Sequence, residues 1–506
     1  MTSSPRNNER SNGGHKLFWG DIHNHNAVGY AQGSLERSID IARNHLDFFA
    51  FTGHASWFDM QEMPGDRHLR WARGFEVHSR HWPKTRQLIK AANDDSFVTF
   101  LGYEWHSSAF GDYCIIFPED QLELYLPDHV NKLFDFAKDK GALAIPHHVA
   151  YKTGWRGINW DYFRPDVTPV VEVYSEHGCT ISDRSPYPMI RNSMGGRSSA
   201  NTIHVQLNKG RRFGFTASTD DHIGFPGGYG EGVLGVWAEA LTPEAIFEAI
   251  RKRRTVAATG DRISLNFTLN GHLMGSEIPD AEERDIQVEL DAPDSLEMVE
   301  LIRNGRAIER YFPEDDITTP FRLPSRVKCR IQYGWGPWAV LGLGRICSWN
   351  MNMDITGGRF IGATGCYQSG PFNKDLRDNL AILSDRSIHL ESYTSREGCK
   401  AEDPTKSIVL DIEADPDAKL TVTLDEPFQE TVEVALQDLI EDNLITFTGV
   451  FTSESFIIHR LVFPDEYSTS IQWRDKVQQK QQPDWYYVRA KAHNGQMAWS
   501  SPIWVG

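Results

Sequence analysis

Five short apolar runs in the first half of this 506-residue chain each stop abruptly at histidines or carboxylates, and no other feature constrains the fold as much. Leu17-Phe18-Trp19 leads into Gly20-Asp21-Ile22-His23-Asn24-His25. Asp47 to Thr52 leads to His54, and Phe97 to Tyr103 leads to Glu104, Trp105 and His106. Ala142 to Pro146 leads to His147 and His148, and Phe213 to Thr219 leads to Asp220, Asp221 and His222. Runs of roughly four to eight mostly apolar or β-branched residues are the pattern of a strand buried on both faces. In an extended segment alternate side chains share a face, so both imidazoles of the His-x-His at 23 and 25 can point at one ion. Burial alone would scatter the 19 histidines, as it does His15, His68, His78 and His129.

Helices are expected between the strands. Ser34 caps one whose apolar positions Leu35, Ile39, Ala42 and Leu46 follow helical spacing. Residues 127–140 place Val130, Leu133, Phe134 and Ala137 on one face and stop at Gly141. Thr242 caps a third, with Pro243 at its first position and Ile246, Ala249 and Ile250 inward. Repeated strand–helix units predict a parallel sheet. Metal-binding side chains gathered from five strand ends favour its closure into a barrel, a fold that keeps its chemistry at strand ends.

Beyond about residue 262 the pattern changes. Ile263 to Leu269 alternates strictly and ends in Asn270-Gly271, a hairpin signal, and strand-like runs follow at 285–290, 297–303, 407–413, 420–424 and 485–492. This second half reads as one or two β-sandwich modules, with the Trp- and Gly-rich stretch 333–356 as a long insertion or bent sheet. It either scaffolds one side of the barrel or binds substrate through tryptophans such as Trp335, Trp338 and Trp349.

The ordered clusters resemble the PHP (polymerase and histidinol phosphatase) family: His23 and His25, then Thr52-Gly53-His54, Glu104, His147 or His148, and Asp220-Asp221-His222. Thr52 to Ala55, Pro146 to His148 and Pro226 to Gly228 are similar to runs in a branch of that family without an assigned function. The resemblance covers roughly the first half. It implies an α/β fold, a distorted (β/α) barrel over residues 15–262, after a disordered leader at 1–14 and before a mainly β, sandwich-like region at 263–506. It also implies a ligand set. Glu104 bridges two divalent ions, His23, His25 and Asp220 complete the first, and His147 or His148 joins Glu104 on the second. His54 and His222 are left for a third.

Nitrogen and oxygen ligands without thiolate suit Mn, Zn or Fe. Two such ions lower the pKa of a shared water and clamp attacking and leaving oxygens, which fits hydrolysis of a phosphate ester by a metal-bridged hydroxide. Catalysis is expected from Glu104, Asp220, His222 and His54, and phosphate binding from Lys152 and Arg156 ahead of Arg211 and Arg212. Two departures from the family pattern fall on the third site. Gly53 stands where the family has an aspartate, and Ala27 to Gln32 holds no histidine. Two ions are therefore expected, with His54 and His222 as general acid, substrate hydrogen-bonders or weaker ligands. Asp21 is expected to orient an imidazole from behind, and His106, Glu172, Glu176 and His177 lie near further strand ends.

A formal net charge of −17 argues against nucleic acid and anionic membranes as partners and leaves a small-molecule substrate. Six cysteines without a CxxC, a polar N-terminus and no long apolar stretch suggest a cytoplasmic protein of unassigned oligomeric state. The expectation is a metal-dependent hydrolase, a phosphoesterase. Its rivals are the same centre cleaving a C–O, C–N or C–C bond, or a degenerate barrel whose β region binds a glycan or partner.

Overall fold

The computed structural model describes residues 11–12, 14–191, 194–334, 346–370, 375–394, 404–450, 453–477 and 483–506. Most of the expected leader lies outside these residues, although Ser11–Asn12 form a short strand β1, antiparallel to β2 (His15–Asp21). Each apolar run then becomes a strand. Helix α1 (Leu35–His45), capped by Ser34 Oγ accepting from Arg37 N, leads to β3 (Phe48–Phe51) and β4 (His54–Trp57). Helix α2 (His68–Ala92) leads to β5 (Val98–His106) and β6 (Tyr113–Ile116), and α3 (Val130–Asp139) to β7 (Leu143–Pro146). The strands β8 (Val170–Ser175) and β9 (Gly178–Cys179) precede α4 (Ile203–Asn208) and β10 (Gly214–Ala217). Last come β11 (Val233–Ala238), α5 (Pro243–Arg251), capped by Thr242, and β12 (Thr255–Ala258).

Helix α2 is the element the sequence pattern hides. Its buried positions Gly74, His78, Trp82, Thr85, Ile89 and Ala92 keep helical spacing. They include glycine, histidine and threonine, and Pro83 lies inside, so no apolar stripe shows. His78 is accordingly not a scattered surface histidine. It is buried, and its Nδ1 lies 3.1 Å from the His54 carbonyl.

The strands β2, β3 and β5 are parallel neighbours, with Gly20 opposite Phe48 and Phe48 opposite Val98. Strands β6 and β7 continue the sheet antiparallel, while β11 and β12 extend its other side. Phe18, Phe48, Phe100, Ile145, Val170 and Leu234 share one core with Ile246 and Phe247 of α5. Burial of each such side chain contributes about 1.5–3 kcal/mol.

The expected closed barrel is met only in part. Strand β10 pairs with β8 in a separate sheet, and no ladder joins β7 to β8 or β10 to β12. Both edges of β12 are already taken, by β11 and by Met497–Ser500, so Phe215 N of β10 donates instead to Ser501 Oγ. Across the other gap Ala144 N donates to Val167 O, and the prolines at 146 and 169 remove donors there.

The second half is mainly β. Ser264–Leu269 and His272–Leu273 form the expected hairpin, Leu269 facing His272 across Asn270-Gly271. Two long strands, Cys347–Cys366 and Lys406–Glu426, lie at the centre of an eight-stranded antiparallel sheet. Trp335 and Trp338 lie outside the described residues. Trp349 is not exposed for stacking on a ligand: it is buried in the core of this sheet, its Nε1 donating to Thr394 Oγ1. The last strands, Asp484–Ala492, Met497–Ser500 and Ile503–Val505, return to the sheet of the first half. Among the described residues no helix is long and apolar enough to cross a membrane.

Candidate metal centre

The ends of β2, β5, β7, β8 and β10 converge with the start of β4 on one buried cluster. Behind β2, Asp21 accepts hydrogen bonds from His23 N at 3.0 Å, Thr219 Oγ1 at 2.6 Å and Gly227 N at 2.9 Å. It therefore ties the first loop to the last one rather than orienting an imidazole as expected, and burial pushes its carboxyl up to about 6. His25 N donates to Asp221 O, and the Asp221 carboxylate accepts from Ile223 N and Phe225 N. These bonds set the chain so that His23 Nε2 and His25 Nε2 lie 3.2 Å apart and 3.3 and 2.9 Å from Asp220 Oδ1.

Glu104 sits between two sets of imidazoles. Its Oε1 lies 2.7 Å from His147 Nε2 and 2.9 Å from His106 Nε2. Its Oε2 faces His54 Nε2 at 3.4 Å and His25 Nε2 at 3.5 Å and has no hydrogen-bond partner. Of the two adjacent histidines left open as alternatives, His147 therefore meets Glu104, whereas His148 Nε2 lies 3.3 Å from Asp112 Oδ2. Ligand atoms of Glu104, Asp112, His147 and His148 all fall within 4.8 Å of one another. So do those of His23, His25 and Asp220, and those of His25, His54 and His222.

The donor chemistry fits divalent cations. Burial drives His25 down to about 3 and, helped by the neighbouring His25, holds His54 well below its ordinary value. Both imidazoles are thus neutral, the form that binds metal. Nearby acidic groups outweigh burial at His23, raised well above its ordinary value, and at His147, raised to about 10, so a cation held there displaces a proton. For Glu104 the opposing effect of burial is outweighed by His106 and His147, and for Asp220 by His23 and His177, so both carboxylates stay ionised. Among the described residues the buried atoms His25 Nδ1, His54 Nδ1, His148 Nδ1 and Glu104 Oε2 have no hydrogen-bond partner, a costly state in an interior unless a ligand completes it. Three of the eight non-glycine residues with positive φ among the described residues, namely His148, Arg156 and Asp220, lie in this cluster. Strain of that kind gathers at functional sites.

Partners behind the cluster fix its orientation. Glu172 Oε2 lies 2.9 Å from His23 Nδ1, Cys114 Sγ 3.7 Å from His147 Nδ1, and His177 Nε2 3.0 Å from Asp220 Oδ2. His222, whose side chain is 30% exposed, stands at the rim with Nδ1 3.1 Å from Glu176 Oε1. Asp112 and Cys114 were not singled out by sequence. The only signal was their i, i+2 spacing at the start of β6, which puts both on one face.

The expected phosphate-binding cations fare unevenly. Arg156 is mostly buried, donates from Nε to Asp112 Oδ2 at 2.6 Å, lies 3.9 Å from Glu104 Oε1 and stacks 5.0 Å above the Trp57 ring. Lys152 is exposed, because the turn in which Trp155 N and Gly157 N donate to Lys152 O leaves its side chain in solvent. Arg211 lies over Trp160, and Arg212 pairs with Glu277, so neither reaches the cluster.

A family model described as a protein of unknown function (DUF3604) matches residues 208–285, from α4 past β10 and β12. An uncharacterized protein from Chlamydia pneumoniae is 24% identical over 327 residues, covering 59% of this chain and 49% of its own length. One from Chlamydia trachomatis is 23% identical over 340 residues, with the same shares. The chain thus spans about half the length of the curated relatives it matches. A solved two-domain protein from Bacteroides vulgatus, described as containing a predicted PHP-like metal-dependent phosphoesterase, is 13% identical. The alignment covers 86% of this chain and 100% of that one, at a TM-score of 0.34, a likeness too slight to carry an argument.

Proposed function

We propose that this chain is a metal-dependent hydrolase, a phosphoesterase acting on a small-molecule phosphate ester. The observation that carries the reading is Glu104: one oxygen faces His147 and His106, and the other, with no hydrogen bond, faces His54 and His25. A carboxylate so placed is suited to bridge two cations and offset their repulsion. His23, His25 and Asp220 would hold the first with Glu104. His147 would hold the second with Glu104, and His106 or the His148–Asp112 pair is placed to complete it. When bound, two divalent ions of the Mn, Zn or Fe class supply Lewis-acid stabilisation and an activated water.

The chain's own residues do the rest. Glu172 and Cys114 hold the rings of His23 and His147 from behind. Arg156, pinned by Asp112, offers a guanidinium beside Glu104 for the anionic group of a substrate. His54 and His222 stand over the centre as substrate hydrogen-bond partners or weaker ligands. The strand ends gather around their shared core as a distorted, incompletely closed barrel over 15–262, with 263–506, whose last strands join the same sheet, as its mainly β, sandwich-like scaffold. The burial of the cluster and the net charge of −17 suit a small substrate better than a nucleic acid or an anionic membrane surface, and a cytoplasmic location is the reading we adopt.

The test is metal content by elemental mass spectrometry on protein purified without chelator or affinity nickel, with a phosphoester panel on the same sample. About two equivalents of metal and phosphate release are expected. Less than about half an equivalent, with no activity on adding metal back, would overturn the reading in favour of a degenerate barrel.

A further inference from the structure

Tyr30 lies in the turn after His25, where no histidine is available. Its ring stacks on His54 with centroids 3.7 Å apart and planes 20° from parallel. Trp71 and Phe75 of α2 meet it edge-on at 6.0 and 6.2 Å. Helix α2 approaches so closely that a Cβ added at Gly74 would lie 2.7 Å from Tyr30 Cβ, which only glycine allows. The ring is therefore clamped on three sides.

Its hydroxyl is not committed in the same way. Among the described residues it makes no hydrogen bond, unlike the hydroxyls of Tyr103 and Tyr151, which contact Tyr125 O and His177 Nδ1. Its ring also stands 6.0 Å from that of His222, so the phenol sits over the same imidazoles that line the cluster. A rigid phenol with a free donor on one side of the cluster and a pinned guanidinium in the same cluster can together clamp an anion, because neither group needs to be ordered when the ligand arrives.

We propose that Tyr30 is a substrate-positioning residue whose hydroxyl, with the Arg156 guanidinium, holds the anionic phosphoryl group over Glu104. The inference rests on the phosphoesterase reading. It deepens that reading by assigning a second donor to the phosphoryl group beside Arg156, a place the exposed Lys152 does not reach.

The experiment compares full-length, metal-loaded wild type with Tyr30→Phe, which keeps the stacked ring and removes only the hydroxyl. Inorganic phosphate binding is measured by calorimetry, and KM and kcat on the best ester of the panel. Tyr30→Phe should weaken phosphate binding and raise KM roughly ten-fold, as loss of a hydrogen bond to a charged group does. Changes in kcat should stay under about three-fold, and metal content and melting temperature should not move. Combining it with Arg156→Lys should cost less than the product of the single losses, since both donors serve one group. Wild-type phosphate affinity in Tyr30→Phe, or loss of metal from it, would overturn the inference alone. A wild type that loads metal but neither binds phosphate nor releases it from any ester would overturn the phosphoesterase reading and this inference with it.

Discussion

In the eight-stranded sheet of the second half, Lys406 Nζ lies 2.8 Å from both oxygens of Asp378, and Ser392 Oγ donates to the same carboxylate at 2.6 Å. Tyr333 then donates to Ser392. At the strand ends of the first half, Glu104 and Asp220 are as deeply buried, yet Glu104 Oε2 and three imidazole nitrogens around it have no partner. The first group of charges answers itself within the protein. The second keeps metal-ligating atoms within 4.8 Å of one another and leaves some of its hydrogen-bonding capacity unused among the described residues. A buried charge whose hydrogen bonds close, as at Asp378, is a structural pair. Open ones point to a ligand only where metal-ligating side chains surround them, since Arg284 Nη2 of the second half also lacks a hydrogen bond among the described residues.

Glu104→Gln tests that contrast hardest. It removes the central charge at near-constant volume, so turnover should fall at least about 10³-fold and bound metal should drop, while the metal-free protein melts as before. Turnover at the wild-type level would end the assignment.

Lys406→Met should do the reverse. Leaving Asp378 buried without its partner should cost about 3–5 kcal/mol in urea unfolding, with metal content unchanged. Replacing both members, as Lys406→Met with Asp378→Leu, should recover most of that loss. Metal released by the single variant would show that the two regions are not independent.

His78, which supports the cluster from α2, gives the next effect. Burial lowers it from 6.5 to about 4, so below pH 6.5 the unfolded chain takes up a proton that the folded one refuses. Its neutral burial is free of cost above pH 6.5 and increasingly unfavourable as pH falls toward 4, a loss of about 2 kcal/mol between pH 7 and pH 5. Unfolding of metal-free wild type and His78→Gln at both values checks this, and equal slopes would refute it.

Glu172→Gln should have the smallest effect. It leaves every proposed ligand in place and weakens the hold on His23 Nδ1, lowering metal affinity roughly ten-fold with little change in stability. Unchanged affinity in a metal titration would make Glu172 a packing residue.

The strand ends were legible because each joins two conspicuous signals, an apolar run and a histidine or carboxylate. The caps at Ser34 and Thr242 and the hairpin at Asn270-Gly271 were legible because they are local chemistry. Helix α2 was not, since its buried face carries Gly74, His78 and Thr85 in place of aliphatics. Nor was Asp112, whose role depends on β6 running antiparallel to β5 and bringing it to His148 and Arg156.

By itself the sequence determined five strands of the first half and that their ends carry side chains of metal-ligating type, because periodicity and residue type are properties of short segments. Strands β4, β6, β8, β11 and β12 emerge only in the fold. Only the tertiary structure decided that His147 rather than His148 meets Glu104, that Arg156 rather than Lys152 reaches the cluster, and that β12 gives its second edge to the C-terminal strands. Those outcomes turn on ångström distances between residues tens to hundreds apart in the chain. No local pattern encodes them.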